Sequence, residues 1–122
     1  MAENTAAQGT ALPVRTTSDL FPVYVIGMGG SPRPRGKATP DGGETHSSGA
    51  ILLMLRKDGD ISPDKSASVH VVEPAATYEL GKKYRAQGAV WVQPYTSGSG
   101  DSARMALSIT VQRLVPVDAP AA

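Results

Sequence analysis

The sequence predicts an all-β domain, and three observations lead to that prediction. Thirteen glycines and ten prolines interrupt the chain every few residues, which favours short strands and turns. Residues that favour helices are sparse between positions 20 and 117. Residues 104–115 alternate between apolar and polar side chains with the period of two that is typical of a strand.

Five segments are predicted to be strands because they are rich in apolar or β-branched residues and end at turn-forming residues. They are 20–28, 50–57, 67–73, 84–95 and 104–115. The second contains the nearly continuous apolar run Ala-Ile-Leu-Leu-Met-Leu, so we expect it to be buried on both faces. Between the third and fourth strands, Pro74 can begin and Gly81 can end one or two helical turns.

The apolar face of each strand supplies the expected core, provided that the strand keeps one register. We expect large-to-small substitutions of Leu107 or Ile109 to cost about 2–5 kcal/mol. The expected core residues are Val23, Val25, the run 51–55, Val69, Val71, Val90, Val92, Leu107, Ile109 and Val111.

The remaining segments are predicted to be connections and termini. Residues 29–49 contain Ser-Pro-Arg-Pro-Arg-Gly-Lys, and a structureless connection of about twenty residues is uncommon in a compact domain unless it is functional or disordered. Residues 96–103 are polar and predict a long hairpin connection. We expect a flexible leader over 1–18, a folded domain over 19–117 and a disordered tail over 118–122.

Composition limits the class of protein. At 122 residues with 40% hydrophobic and 19% charged residues, the chain is expected to be one soluble domain. It has no cysteine, and therefore neither disulfides nor a thiolate metal site. It lacks an 18-residue apolar run and a signal-like N-terminus, so we expect a cytoplasmic protein with no membrane partner.

Enzymatic interpretations find little support in the sequence. His46 and His70 lack the spacing of metal ligands, and no nucleophile–base pair can be argued. Gly27-Met-Gly29-Gly30 follows a predicted strand, but Pro32 and Pro34 come where a phosphate-binding helix would have to begin. We therefore expect no enzyme activity, no metal, no cofactor and no small-molecule substrate.

The predicted strand 84–95 has the most informative pattern in the chain. One face carries Tyr84, Ala86, Gly88, Val90 and Val92. The opposite face carries aromatics interleaved with a cation and amides: Arg85, Gln87, Ala89, Trp91, Gln93 and Tyr95. Such a face can stack planar groups and form hydrogen bonds around them.

The order of these elements resembles the OB-fold, a five-stranded Greek-key barrel that binds oligonucleotides or sugars. The long polar connections after the first and fourth predicted strands take the places of that fold's binding loops. The run 84–95 followed by 106–112 is similar to small single-stranded-DNA-binding proteins of plasmids, phages and integrative elements. The chain lacks the acidic C-terminal tip of the long-tailed cellular type, so recruitment of partners through such a tail is not expected.

The first hypothesis is therefore non-enzymatic binding of single-stranded nucleic acid with little sequence specificity, serving replication or transfer of a mobile element. DNA is the expected ligand, with RNA left open, and a homo-oligomer would gain avidity from linked sites. Base stacking is assigned to aromatic residues and phosphate neutralisation to cations. The stacking residues are Tyr24, Trp91 and Tyr95; the cations are Arg33, Arg35, Lys37, Arg56, Lys57, Arg85 and Arg104.

The second hypothesis is a β-barrel or β-sandwich module for protein interaction or structure, such as a virion or transfer-apparatus subunit. In that case the face of Trp91 and Tyr95 would be buried against another chain, because aromatics are favoured at interface centres. The net charge of only +1 favours this alternative. The clustered cations and the two long connections favour the first.

Overall fold

A computed structural model describes residues 14–55, 57–97, 100–102 and 104–118. Over these ranges the chain forms nine strands and one 3₁₀ turn at Gly100–Ser102, without an α-helix, so the predicted all-β class is confirmed. No helix in this part of the chain is long and apolar enough to cross a membrane. The strands are β1 (Val14–Thr17), β2 (Tyr24–Gly27), β3 (Arg33–Ala38), β4 (Glu44–Ser47), β5 (Ala50–Leu55), β6 (Ile61–Asp64), β7 (Ser68–Val71), β8 (Lys83–Ser97) and β9 (Arg104–Pro116).

The described strands form one sheet in the order β3-β4-β7-β9-β8-β2-β5-β6, and β1 pairs separately with β8. The pairing of β7 with β9 is parallel. Only Ser48 and Gly49 separate β4 from β5, yet β4 pairs with β7 and β5 pairs with β2. The buried Ser48 hydroxyl donates to the Val69 carbonyl at 2.7 Å, and Gly49 has a φ of +65°, which suits glycine. This corner links two strands that lie far apart in the order of the sheet.

The core is built largely from the predicted positions. Val23, Val25, Val69, Val71 and Val90 are buried, as are Ile109 and Val111, while Val92 and Leu107 are partly buried against the cluster. The prediction did not include four further members, namely Tyr78, Tyr84, Ala86 and Leu114.

The expectation of helical turns over 74–81 is wrong, because tertiary hydrogen bonds occupy the backbone of this segment. Tyr78 is fully buried, and its ring lies edge-on to Tyr84 with 5.1 Å between the ring centroids. The Ala75 N–H donates to the Tyr78 hydroxyl at 3.1 Å, and the Glu79 N–H donates to the Tyr84 hydroxyl at 3.0 Å. The Gly29 N–H donates to the Tyr78 carbonyl at 2.9 Å. The two tyrosines therefore hold the segment in an irregular conformation.

The apolar run 51–55 is not buried on both faces, contrary to expectation. Leu52 is buried, but Leu55 is 73% exposed and Met54 is also exposed. The reason is the position of β5 in the sheet, because its outer neighbour is β6, which forms the edge. The β6 strand was not predicted; it contains Pro63, which an edge strand tolerates because its N–H side needs no partner.

The predicted flexible leader and the predicted long connection both contain strands instead. Residues 14–17 of the predicted leader form β1, which pairs antiparallel with residues 89–92 of β8. Residues 29–49 contain the β3–β4 hairpin, so the long loop expected after the first predicted strand is wrong. Its turn closes through Thr39, whose N–H donates to the Gly43 carbonyl at 2.8 Å. Residues 1–13 and 119–122, in the predicted leader and tail, lie outside the described residues.

The β8–β9 hairpin forms as predicted and contains a register shift between Gln87 and Val90. On β9 the core side chains lie at odd-numbered positions up to Val111. The next core side chain lies at an even-numbered position, Leu114. Gly88 lies at this bulge with a φ of +95°. A Cβ there would lie 2.9 Å from the Gln112 Cβ, so both the backbone angle and the available space require glycine.

Candidate functional site

Polar and aromatic side chains lie in rows across three neighbouring strands, on the face opposite the core. Cross-strand pairing places His70 of β7 beside Thr110 of β9, and Thr110 beside Trp91 of β8. The next row contains Ser68, Ser108 and Gln93. Tyr95 follows on β8, opposite Ala106. Because side chains alternate along a strand, the same three strands bury Val69, Ile109 and Val90 on the other side.

The β3–β4 hairpin forms a wall against this face and encloses a groove of about 390 Å³. The hairpin contributes Arg35, Lys37, Ala38, Thr39, Pro40 and Thr45 to the lining. Its own strands are held together by side chains, since Arg35 Nη1 donates to Thr45 Oγ1 at 3.2 Å and that hydroxyl donates to the Lys37 carbonyl at 2.8 Å. These contacts hold the backbone of the hairpin in place at the positions from which the Arg35 and Lys37 side chains project.

The tip of the hairpin reaches the far side of β8. Asp41, in the hairpin turn, pairs with Arg15 of β1 at 2.8 Å, and Arg15 is the cross-strand neighbour of Trp91. The hairpin therefore passes over the indole ring, and Trp91 is only 5% exposed. The sequence places Trp91 on the face opposite the core and so predicts that Trp91→Ala changes stability little. The burial of the ring corrects this prediction, because truncating a buried tryptophan costs about 3–5 kcal/mol.

Two ring nitrogens are buried without hydrogen-bond partners among the described residues. They are Trp91 Nε1 and His70 Nδ1, and both residues line the groove. A buried polar group without a partner is costly, and native structures contain few of them. Both ring nitrogens are therefore candidates for contact with a ligand.

The groove is electrostatically positive. Arg35 and Lys37 line it, and none of its lining residues is an aspartate or glutamate. Burial, followed by the charges of Arg35 and Lys37, lowers the pKa of His70 from 6.5 to about 4. Burial also lowers the pKa of Arg35. At neutral pH the imidazole is thus uncharged and can donate from one nitrogen and accept at the other.

The structure brings four of the predicted site residues together in the groove, namely Arg35, Lys37, Trp91 and Tyr95. Tyr24 and Arg85 are cross-strand neighbours that line a separate depression. Along β8, Arg85 lies roughly 20 Å from Trp91, at about 3.3 Å per residue.

Two further predicted cations, Arg33 and Lys57, are described and do not line the groove. Arg33 is exposed at the start of β3, and Lys57 is exposed after β5. Arg56 and the side chain of Arg104 lie outside the described residues.

The prediction missed the polar floor of the groove. The sequence interpretation considered His70 only with regard to metal ligation, and it did not single out Ser68, Ser108 or Thr110. Residues 106–112 carried a usable signal, since Ser108 and Thr110 alternate with the core residues Leu107 and Ile109. The register that places these hydroxyls beside Trp91 and Gln93 depends on long-range pairing, which alternation does not specify.

No family model, no curated protein and no solved structure matches the chain. Among the described residues, no three His, Asp or Glu side chains are grouped so as to hold a metal ion.

Proposed function

We propose that the protein binds single-stranded nucleic acid, with DNA as the expected ligand, in the groove between the β3–β4 hairpin and the face of β7, β9 and β8. The observation that carries the proposal is the convergence of two aromatics, Trp91 and Tyr95, with two cations, Arg35 and Lys37, in one groove. Stacked bases and neutralised phosphates are the two main contributions to binding of single strands. Neither contribution depends strongly on base sequence.

An OB-type barrel is the architecture that we propose for this binding face. Support comes from the path of the sheet, in which the five predicted strands correspond to β2, β5, β7, β8 and β9. The corner at Ser48 and Gly49 joins a partner of β7 to a partner of β2, so the segment 44–55 bridges the two ends of that five-strand path. The β3 and β6 strands, at the two ends of the sheet order, then extend beyond the barrel.

The burial of Trp91 determines the order of contacts in this proposal. Tyr95 is partly exposed and offers a ring to a base without rearrangement. Stacking on Trp91 requires the β3–β4 hairpin to move, because the indole ring is 5% exposed. Binding should therefore change the environment of the single tryptophan, which gives an intrinsic fluorescence signal.

The test is a titration of the full chain with oligo-dT, following Trp91 emission at low and at high salt. We expect a change in emission at low salt that is lost at high salt, because released counterions contribute to the affinity. Tyr95→Ala should weaken binding by about 1–3 kcal/mol. Tyr24→Ala is the matched control and should bind as the unmodified chain does, since Tyr24 lies outside the groove.

The cations provide a second arm of the same test. Replacing Arg35 and Lys37 together should reduce the slope of log affinity against log salt by up to about 0.7 for each lost phosphate contact. Arg33→Ala, on the same strand but outside the groove, should leave the slope unchanged. A flat titration at low salt would overturn the proposal and favour a protein-interaction module.

A further inference from the structure

The hydrogen-bonding groups that line the groove are unequally divided between donors and acceptors. Three groups can only donate: the Arg35 guanidinium, the Lys37 ammonium and the Trp91 indole N–H. The Ser and Thr hydroxyls, the neutral His70 ring and the Gln93 amide can act in either role. No lining side chain is an obligate acceptor, because no carboxylate lines the groove.

The nearest carboxylate along the hairpin does not change this balance. Asp41 follows Pro40, which lines the groove, but its carboxylate is engaged by Arg15 at 2.8 Å. Glu44 lies 3.8 Å from His46 Nε2 and does not line the groove either. A ligand in the groove therefore meets fixed donors and adaptable groups.

Bases differ in a hydrogen-bonding group that a lining rich in fixed donors can distinguish. Thymine, uracil and guanine carry a keto oxygen, an acceptor, where cytosine and adenine carry an exocyclic amino group, a donor. An amino group directed at a fixed donor leaves both donors without partners, and an unpaired buried donor is costly. The Trp91 Nε1 atom is buried, so a base reaches it only after the β3–β4 hairpin has moved, as stacking on the indole ring also requires. A keto oxygen placed there would then give the Trp91 N–H the partner that it lacks among the described residues.

We infer that the groove contains a subsite selective for a keto base, with the Trp91 indole N–H as the discriminating donor. This inference rests on the proposed function. It makes one nucleotide position of the bound single strand selective for its base, whereas the other positions are bound with little selectivity. The hydroxyls of Ser68, Ser108 and Thr110 adjust their roles to whichever base enters. The groups that can only donate a hydrogen bond therefore determine whether a keto or an amino base binds more tightly.

The test compares oligo-dT with oligo-dC of equal length, as competitors for a labelled oligo-dT, at slightly alkaline pH where cytosine is neutral. The two pyrimidines match in ring size, so stacking and phosphate contacts are held nearly constant. We expect oligo-dT to bind about two- to tenfold more tightly, the range of one net hydrogen bond. Oligo-dU should match oligo-dT, which separates the keto oxygen from the thymine methyl group.

The variant Trp91→Phe keeps an aromatic ring and removes the N–H. It should weaken binding to both oligonucleotides and reduce the dT-to-dC ratio towards one, whereas a purely structural loss would leave that ratio unchanged. Equal affinities of the unmodified chain for oligo-dT and oligo-dC, or tighter binding of oligo-dC, would overturn the inference and leave the proposed function standing. Failure to bind any oligonucleotide at low salt would instead overturn the proposed function.

Discussion

Arg15 on β1 and Asp41 in the β3–β4 turn form an ion pair, with 2.8 Å between Arg15 Nε and Asp41 Oδ2. The pair ties the tip of the hairpin to the strand that adjoins Trp91. Both side chains are more than half exposed, and exposed pairs contribute only about 0–1 kcal/mol to stability. The contact is thus better suited to positioning the hairpin than to stabilising the domain.

Asp41→Ala should free the hairpin tip and make Trp91 more accessible. We expect stronger quenching of Trp91 emission by acrylamide, with the free energy of unfolding lowered by no more than about 1 kcal/mol. Glu44→Ala is the control, because this acidic residue of the same hairpin does not reach β1. Identical quenching in both variants would show that the ion pair does not hold the hairpin over the indole ring.

Gly88→Ala should destabilise the protein through two separate effects. The φ of +95° disfavours any side chain, and the added Cβ would approach Gln112. Gly59→Ala isolates the first effect, since Gly59 has a φ of +91° but no atom within 4 Å of its added Cβ. We expect chemical denaturation to give a cost of about 1–2 kcal/mol for Gly59→Ala and a further 1–3 kcal/mol, roughly, for Gly88→Ala. Equal costs for the two substitutions would mean that β9 shifts at the bulge to accommodate the added Cβ.

Substitutions along β9 should reproduce its burial pattern rather than a uniform apolar face. Ile109 is 1% exposed, Leu107 is partly buried and Met105 is 77% exposed. Ile109→Ala should cost about 2–5 kcal/mol, Leu107→Ala less, and Met105→Ala close to nothing. This ranking revises the sequence-based expectation of similar costs at Leu107 and Ile109. Thermal and urea unfolding of the three variants would test it, and a large loss in Met105→Ala would contradict the assigned register.

The strands that sequence predicted best are those whose signal is local. In β9 the alternation of Leu107, Ile109 and Val111 with polar residues was sufficient, because a half-buried strand requires that period. The β3 strand was missed because Arg-Pro-Arg-Gly-Lys has neither alternation nor β-formers. Its strand conformation depends on Thr45, which hydrogen-bonds both the Arg35 side chain and the Lys37 carbonyl, a contact across eight or more residues.

The candidate site also contains residues that a local pattern identifies and residues whose placement depends on long-range pairing. Trp91 and Tyr95 could be found from one strand, because their spacing places them on the face opposite Val90 and Val92. The covering hairpin and the placement of His70 depend on which strands become neighbours. Parallel pairing of β7 with β9 brings His70 beside Thr110, and no local pattern in either segment specifies that pairing.

His70 should make the stability of the protein depend on pH. In the folded protein its pKa is lowered to about 4 by burial and then by Arg35 and Lys37, whereas its ordinary value is 6.5. As the pH falls below 6.5, the unfolded chain therefore takes up a proton that the folded protein excludes. The free energy of unfolding should fall between pH 6.5 and 4 and should not change through His70 above pH 6.5.

The variant His70→Gln tests this by removing the titrating group while retaining a polar side chain in the groove. Its free energy of unfolding, from urea denaturation at a series of pH values, should vary less between pH 6.5 and 4.5 than that of the unmodified chain. Keeping above pH 4.5 avoids Glu73, whose pKa is lowered from 4.5 by hydrogen bonds from Gln112 and Arg113 and which therefore loses its stabilising effect only in more acidic solution. Parallel curves for the two proteins would mean that the folded protein accepts the proton on His70, and that the groove is more hydrated than its geometry indicates.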